Sequence, residues 1–284
     1  MKNRFIILMI LPFITLLMMF IYYPFFKSIY NSFYNFNFNT REFIGIENYI
    51  RVIKEVHRET FFNTILYVLF SVIIEIVIAC PLAYVLKNQF KGRGLVIALL
   101  ILPWITPPAV NGVIWRWIYD GSYGLLNDIS MKLSIIDSAK IWLASRVSSL
   151  FLIGVVHVWK VIPFMTLVFL SQLQKIPKEL YEAGRVDGLK ENQVLVKLII
   201  PMMRGTLCLM ALQGIISAVQ IFDEVYVLTG FSLDTRSLMI ENYLMIFSNL
   251  KMGQGTALAL MVMTVSTMPM LLYRVIKIKK EKYE

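Results

Sequence analysis

Residues 174–204 read QKIPKELYEAGRVDGLKENQVLVKLIIPMMR, a charged interval between two long apolar runs. Pro177 suits the first position of a helix, where a missing N–H costs nothing. Leu180, Ala183, Gly184 and Asp187 share one helical face. Gly188 follows and can take the left-handed turn that ends a helix. Asn192 is placed to cap a second helix. Val194, Leu195, Leu198 and Ile199 give that helix an apolar stripe, and Pro201 turns the chain towards the next apolar run. The pattern predicts a helix–turn–helix with small residues on one side and charge at its tip, a shape suited to docking in a cleft of another protein.

The flanking composition sets the class. Hydrophobic residues make up 58% of the 284-residue chain and charged residues 16%, with a mean hydropathy of +0.67. These values belong to a membrane protein rather than a soluble domain. Spans are expected at about 5–26, 62–86, 94–118, 149–173, 203–222 and 255–276. The first is too long for a signal h-region and no small-residue cleavage site follows it, so it reads as an uncleaved span. The whole of 1–284 then reads as one transmembrane domain. It is an all-α integral membrane protein with six transmembrane helices, and residues 174–204 form a loop on one face. A short interfacial helix is expected within 236–249, where Ile240, Tyr243, Leu244 and Phe247 recur at helical spacing. The aromatic cluster of Phe33, Tyr34, Phe36, Phe38 and Phe43 suits a membrane interface.

Lys and Arg set the orientation. Sixteen lie in 1–4, 87–93, 174–204 and 274–284. Eleven are spread over the longer segments 27–61, 116–148 and 224–253. The positive-inside rule then puts both termini and 174–204 in the cytoplasm of a multi-pass protein of the inner or cytoplasmic membrane. The net charge of +10 is therefore a topological signal, and no basic-aromatic module points to nucleic acid.

Within the spans, Glu75 and Lys160 stand out, since an ionisable group at mid-membrane must face protein or a water-filled cavity. They lie at similar depth, about thirteen and eleven residues into spans of the same direction. Lys160 is open to two roles, a pair with Glu75 or a place on a solute pathway. Pro103, Pro107 and Pro108 break or kink the third span, either for packing or as a pathway wall. Cys80 and Cys208 read as small core residues. His57 and His157 form no metal or catalytic motif.

At this point the chain resembles a known family. Glu182-Ala183-Gly184, Asp187-Gly188 and Leu198-Ile199-Ile200-Pro201 resemble the EAA loop of binding-protein-dependent ABC importer permeases. Trp159-Lys160-Val161-Ile162-Pro163-Phe164, Ile176-Pro177-Lys178-Glu179-Leu180-Tyr181, Phe43-Ile44-Gly45-Ile46-Glu47-Asn48-Tyr49 and Tyr226-Val227-Leu228-Thr229-Gly230 look like its carbohydrate branch. That branch includes the larger permease subunit of the maltose transporter. The similarity runs from about residue 5 onward. It departs at Gly184, where the family usually has Ala, and at Phe231-Ser232, where Gly and Pro are frequent.

The resemblance implies half of a translocation pathway for a sugar or oligosaccharide. It implies a second permease subunit of similar fold, two cytoplasmic ABC ATPases and an extracellular or periplasmic solute-binding protein, with membrane lipid around the spans. Glu182, Ala183, Gly184, Asp187 and Gly188 would dock the ATPase. The same resemblance places Lys160, Val161 and Phe164 near the solute, with His157 on their face. Trp159 and Phe164 can stack on sugar rings, and Gln213, Ser217 and Gln220 can bond hydroxyls or join span to span. No cofactor is expected in this chain, and ATP and Mg belong to the ATPases. The chain has no phosphate-loop motif, HExxH or Gly-x-Ser-x-Gly, so it reads as no enzyme. A stand-alone secondary transporter or channel is the alternative, but such a carrier has no need of a docking element.

Overall fold

A computed structural model describes residues 2–37 and 40–281, and these residues are mostly helical. Four helical stretches are long and apolar enough to cross a membrane: Met9–Ser32, Arg58–Lys87, Arg146–Leu173 and Met252–Arg274. Two further pairs qualify only together, because each is sharply bent. Arg93–Ile105 and Pro108–Ile118 meet at 101°, and Glu191–Met202 and Arg204–Val219 meet at 81°. Counting each pair once brings the total to six.

The described residues form two units. The first comprises residues 1–57 and 241–265. Helix α1 (Lys2–Leu17) runs through a widened π turn, Met18–Tyr22, into α2 (Tyr23–Ser32). The wide turn lies against Pro24, whose missing N–H leaves the Phe20 carbonyl without its usual helical donor. The helical stretch Lys2–Ser32 contains the expected 5–26. The aromatic cluster after it folds into a hairpin, β1 (Tyr34–Asn37) paired antiparallel with β2 (Thr40–Phe43). Phe38 of that cluster lies outside the described residues. Helix α3 (Glu47–Glu55) follows. Its Asn48 amide donates to the carbonyls of Ser32 at 2.8 Å and Tyr34 at 2.9 Å, tying α3 to the hairpin. Lys251 donates to Glu55 at 2.7 Å, and this bond holds the Glu55 carboxyl below its ordinary range.

The second unit comprises 58–240 and 266–284. Helix α4 (Arg58–Lys87) packs most extensively on α8 (Arg146–Leu173). Gly154 makes room for this, since a Cβ there would lie 2.6 Å from the Phe70 ring. Between them in sequence are α5 (Arg93–Ile105), α6 (Pro108–Ile118) and the short α7 (Leu125–Lys132). The proline pair 107–108 does break the third span as expected. Thr106 and Pro107 are extended, which is the conformation a following proline imposes.

Beyond α8 come α9 (Lys178–Val186), α10 (Glu191–Gln193), a π turn at Val194–Ile199, α11 (Ile200–Met202) and α12 (Arg204–Val219). Gly188 takes φ +78° as its position required. Asn192, however, is not the cap. Lys190 is extended at that place, and its N–H is accepted by the Gln193 side chain at 3.0 Å. Helix α12 lies within the run expected at 203–222. Helix α12 has 16 residues and continues from the preceding segment through the 81° bend. Helices α13 (Asp223–Thr229), α14 (Leu238–Tyr243) and α15 (Met252–Glu281) complete the chain. Ile240 in α14 is fully buried, so that residue is a packing contact rather than part of an apolar face turned to lipid. Cys80 is buried as expected, but Cys208 is exposed.

One apolar cluster organises this unit at one end of α4 and α8. It joins Ala79, Cys80, Ala83 and Leu86 of α4 with Phe169 and Leu173 of α8 and with Tyr181, Val194, Leu195 and Ile199.

Candidate functional site

Four helices bring polar side chains together at the middle of the second unit. Glu75 of α4 is fully buried, and neither of its oxygens has a hydrogen-bond partner. The nearest cationic candidate is His157 of α8, whose Nε2 lies 3.8 Å from Glu75 Oε1. The same imidazole reaches Glu224 of α13, Nδ1 to Oε1 at 3.4 Å. Ser217 Oγ of α12 lies 3.3 Å from His157 Nε2. One imidazole thus stands between two carboxylates. A protonated imidazole here would offset one negative charge, and Lys160 brings a second positive charge near Glu224.

Backbone approach makes the cluster possible. A Cβ on Gly214 would fall 2.8 Å from Glu75 Oε2 and 3.1 Å from Met165 Cε. Only glycine lets α12 come this close to α4. Helix α13 is placed by its packing on α6, where Gly112 lies against Val227.

Lys160 does not partner Glu75. It lies one turn along α8 from His157, and its charge acts on Asp223 and Glu224. Equal depth made Glu75 and Lys160 a plausible pair, but rotation about the helix axis decides which groups face each other. The three residues from 157 to 160 turn the side chain by about 60° away from the α4 face.

The aromatic candidates meet other aromatics. Phe164 stacks on Trp104 of α5, with centroids 5.4 Å apart. Trp159 meets Trp115 of α6 edge-on at 5.5 Å. Val161 is buried. Gln213 and Gln220 are exposed, and Ser217 is half-buried on the His157 side. So His157, Lys160 and Ser217 gather near the cluster, while Trp159 and Phe164 line the bent α5–α6 pair. Glu224, the second carboxylate, had no signal in sequence beyond its place at a span end.

A second candidate lies on α9. Glu182, Ala183, Asp187 and Gly188 are exposed, whereas Gly184 is buried. A Cβ at Gly184 would meet Leu198 Cδ1 at 2.7 Å. Its departure from Ala therefore allows α9 to lie close on the following limb. Val186 is 87% exposed, an apolar side chain at the tip that the sequence reading passed over.

Asn63 of α4 organises the opposite end. Its amide nitrogen points at the carbonyls of Leu233, Asp234 and Arg236 at 3.0–3.3 Å, and its oxygen accepts from Arg146 at 3.0 Å. Tyr67 donates to the Thr235 carbonyl at 2.8 Å, one turn further along α4.

Residues 59–280 match the family described as binding-protein-dependent transport system inner membrane component. The trehalose/maltose transport system permease protein MalF of Thermococcus litoralis is 35% identical over 229 residues, 78% of this chain and 76% of that protein. The sulfoquinovosyl glycerol transport system permease protein SmoG of Agrobacterium fabrum is 30% identical over 280 residues, 96% of this chain and 90% of that protein. A chain of a bacterial alginate ABC transporter, solved with an alginate pentasaccharide-bound periplasmic protein, has a TM-score of 0.81 at 17% identity. The match covers 95% of this chain and 93% of that one, and it shows a shared fold. The long apolar helices, the bent pairs and the match over most of the length agree, and the chain belongs to the binding-protein-dependent transport system inner membrane component family.

Proposed function

We propose that this chain is the permease subunit of an ATP-driven ABC importer for a sugar or oligosaccharide. The observation that carries this reading is the seating of 176–199 on the ends of α4 and α8 in one apolar cluster, with Glu182, Ala183 and Asp187 left exposed on α9. A loop built this way presents a rigid polar surface to a partner. In this reading the partner is a pair of cytoplasmic ABC ATPases, and ATP and Mg bind there. A second permease of similar fold completes the pathway, and an external solute-binding protein delivers the solute. The six spans, the cytoplasmic docking helix–turn–helix and the cytoplasmic termini belong to this proposal.

The sugar class is supported by the relatives, which are named for trehalose, maltose and sulfoquinovosyl glycerol. Lys160 and Ser217 offer hydrogen bonds to hydroxyls, with His157 buried behind Ser217, and Trp159 and Phe164 offer aromatic faces. Closure of the ATPases would displace the docked segment and rock the helices between two arrangements, each open to one side.

The test is affinity purification of the tagged chain from detergent-solubilised native membranes, followed by identification of its partners and uptake of labelled trehalose and maltose in vesicles. Recovery of an ABC ATPase and a second permease is expected. A chain that purifies alone and carries solute without ATP would return the stand-alone carrier.

A further inference from the structure

Helix α4 is tied to the docking segment by side chains that lie about a hundred positions away in sequence. The Tyr84 hydroxyl donates to Glu191 Oε2 at 2.6 Å. The Lys87 ammonium lies over the ring of Tyr181. The Tyr84 and Tyr181 rings are 6.4 Å apart, and the Tyr181 hydroxyl donates to the Leu173 carbonyl at the end of α8 at 3.2 Å. Cys80, Ala83, Tyr84 and Lys87 recur at three and four residues, so they form one face of α4. Below the polar links, that face shares the apolar cluster with Tyr181, Val194, Leu195 and Ile199.

Tyr181 stands on α9 and Glu191 on α10, on either side of the left-handed Gly188 turn. Both limbs of the segment are therefore held to α4 separately, and the turn cannot hinge without breaking one link. The covalent route out of the segment is less direct. It runs through a π turn and then the 81° bend before α12, and a bend absorbs displacement. Helix α4 has no such bend and is continuous over this stretch, although Pro81 removes one backbone hydrogen bond between Tyr84 and Glu75. From Tyr84 to Glu75 is nine residues along α4, about 14 Å at 1.5 Å per residue. Glu75 then faces His157, with Gly214 of α12 against its other oxygen.

We propose that Tyr84 and Lys87 are positioning residues that make the docking segment and α4 move as one body. They deliver ATPase-driven displacement through α4 to the Glu75–His157–Glu224 cluster. This rests on the docking reading above.

The experiment uses the assembled complex in lipid nanodiscs. Spin labels are placed at two exposed positions, Glu179→Cys in α9 and Val77→Cys in α4, in a Cys208→Ser background. Their separation is measured without nucleotide and after trapping with ATP and vanadate. With Tyr84 and Lys87 intact, one unchanged separation is expected in both states. Tyr84→Phe with Lys87→Met is expected to leave ATP hydrolysis in place while the separation shifts and broadens on trapping. Lys87→Arg, which keeps a cation over the ring, should restore the single separation when Tyr84 is intact. If the double variant assembles poorly, Tyr84→Phe alone, which removes one oxygen atom, should show the shift in reduced form. An unshifted separation in these variants overturns the inference while the docking reading stands. So does a separation that already shifts with both residues intact. An unmodified complex that contains no ATPase overturns the docking reading and this inference with it.

Discussion

His157, not Lys160, is the neighbour of Glu75, with Nε2 of the imidazole 3.8 Å from the carboxyl group. Glu224 lies on the other side of the same ring, at 3.4 Å. Replacing His157 with Leu would leave the two buried carboxyl groups without the imidazole between them. Leaving a buried polar group without its partner costs about 1–3 kcal/mol. His157→Leu is therefore expected to lower the folded yield and the melting temperature in detergent, read by size-exclusion chromatography and a thermal ramp. Adding Glu75→Gln should recover part of that loss. Lys160→Met, by contrast, should leave folding near its original level, with or without Glu75→Gln. If Glu75→Gln rescued Lys160→Met instead, the partner assignment would be wrong.

Asn63 holds the backbone of 233–236 through several carbonyls and receives Arg146. Asn63→Ala leaves these groups without their partner, at a cost of about 1–3 kcal/mol. The loss should be local. Amide hydrogen exchange across 230–237 is expected to rise while exchange in the α4–α8 interface stays slow. Uniform protection in the variant would show that the loop is held by other means.

Gly188 has φ +78°, where a β-branched residue is strained by roughly 1–2 kcal/mol. Gly188→Val should disturb the turn between α9 and α10 without affecting insertion. Glu182 is exposed on the face proposed for docking, and Glu182→Lys reverses its charge. Both variants are expected to lower ATPase recovery in a pulldown from solubilised membranes, with insertion checked separately. Full recovery with both would remove residues 182–188 from the contact.

Asn192 and Asp137 are both exposed, and the positive-inside pattern puts them on opposite sides. In a background without Cys80 and Cys208, a cysteine at 192 should react with a membrane-impermeant thiol reagent only from the cytoplasm. One at 137 should react only from outside. Reaction of both from one side would require an even number of crossings between them.

The long apolar runs were legible to within a few residues, because burying some twenty apolar side chains in sequence leaves few alternatives. The apolar run expected at 62–86 lies within α4, Arg58–Lys87. The breaks at Pro107–Pro108 and near Pro201 were legible too, since proline removes a donor, but their angles depend on what packs inside them. The hairpin was missed although its signal was present. Tyr34, Phe36 and Phe38 alternate with Asn35 and Asn37, a two-residue period, which the aromatic content overshadowed. The His157–Glu75 contact was not legible, because depth is read along one axis and facing depends on the rotation of each helix. Tyr84 and Glu191 carried no signal at all, as two polar residues a hundred positions apart meet only through the fold. Lys160 was placed by the Trp-x-x-x-Pro-Phe resemblance, His157 by its spacing of one turn from Lys160, and Ser217 by the resemblance of the fifth span.

The π turn at Val194–Ile199 closes its hydrogen bonds one residue later than an α-helix does. The stretch therefore contains a surplus position. Its buried side chains, Val194, Leu195 and Ile199, keep their places only because that extra residue is taken up in the wide turn. A related chain one residue shorter here could close an ordinary α turn and present the same three contacts. Alignments that forbid a gap before Pro201 will then shift every residue on one side of it by one.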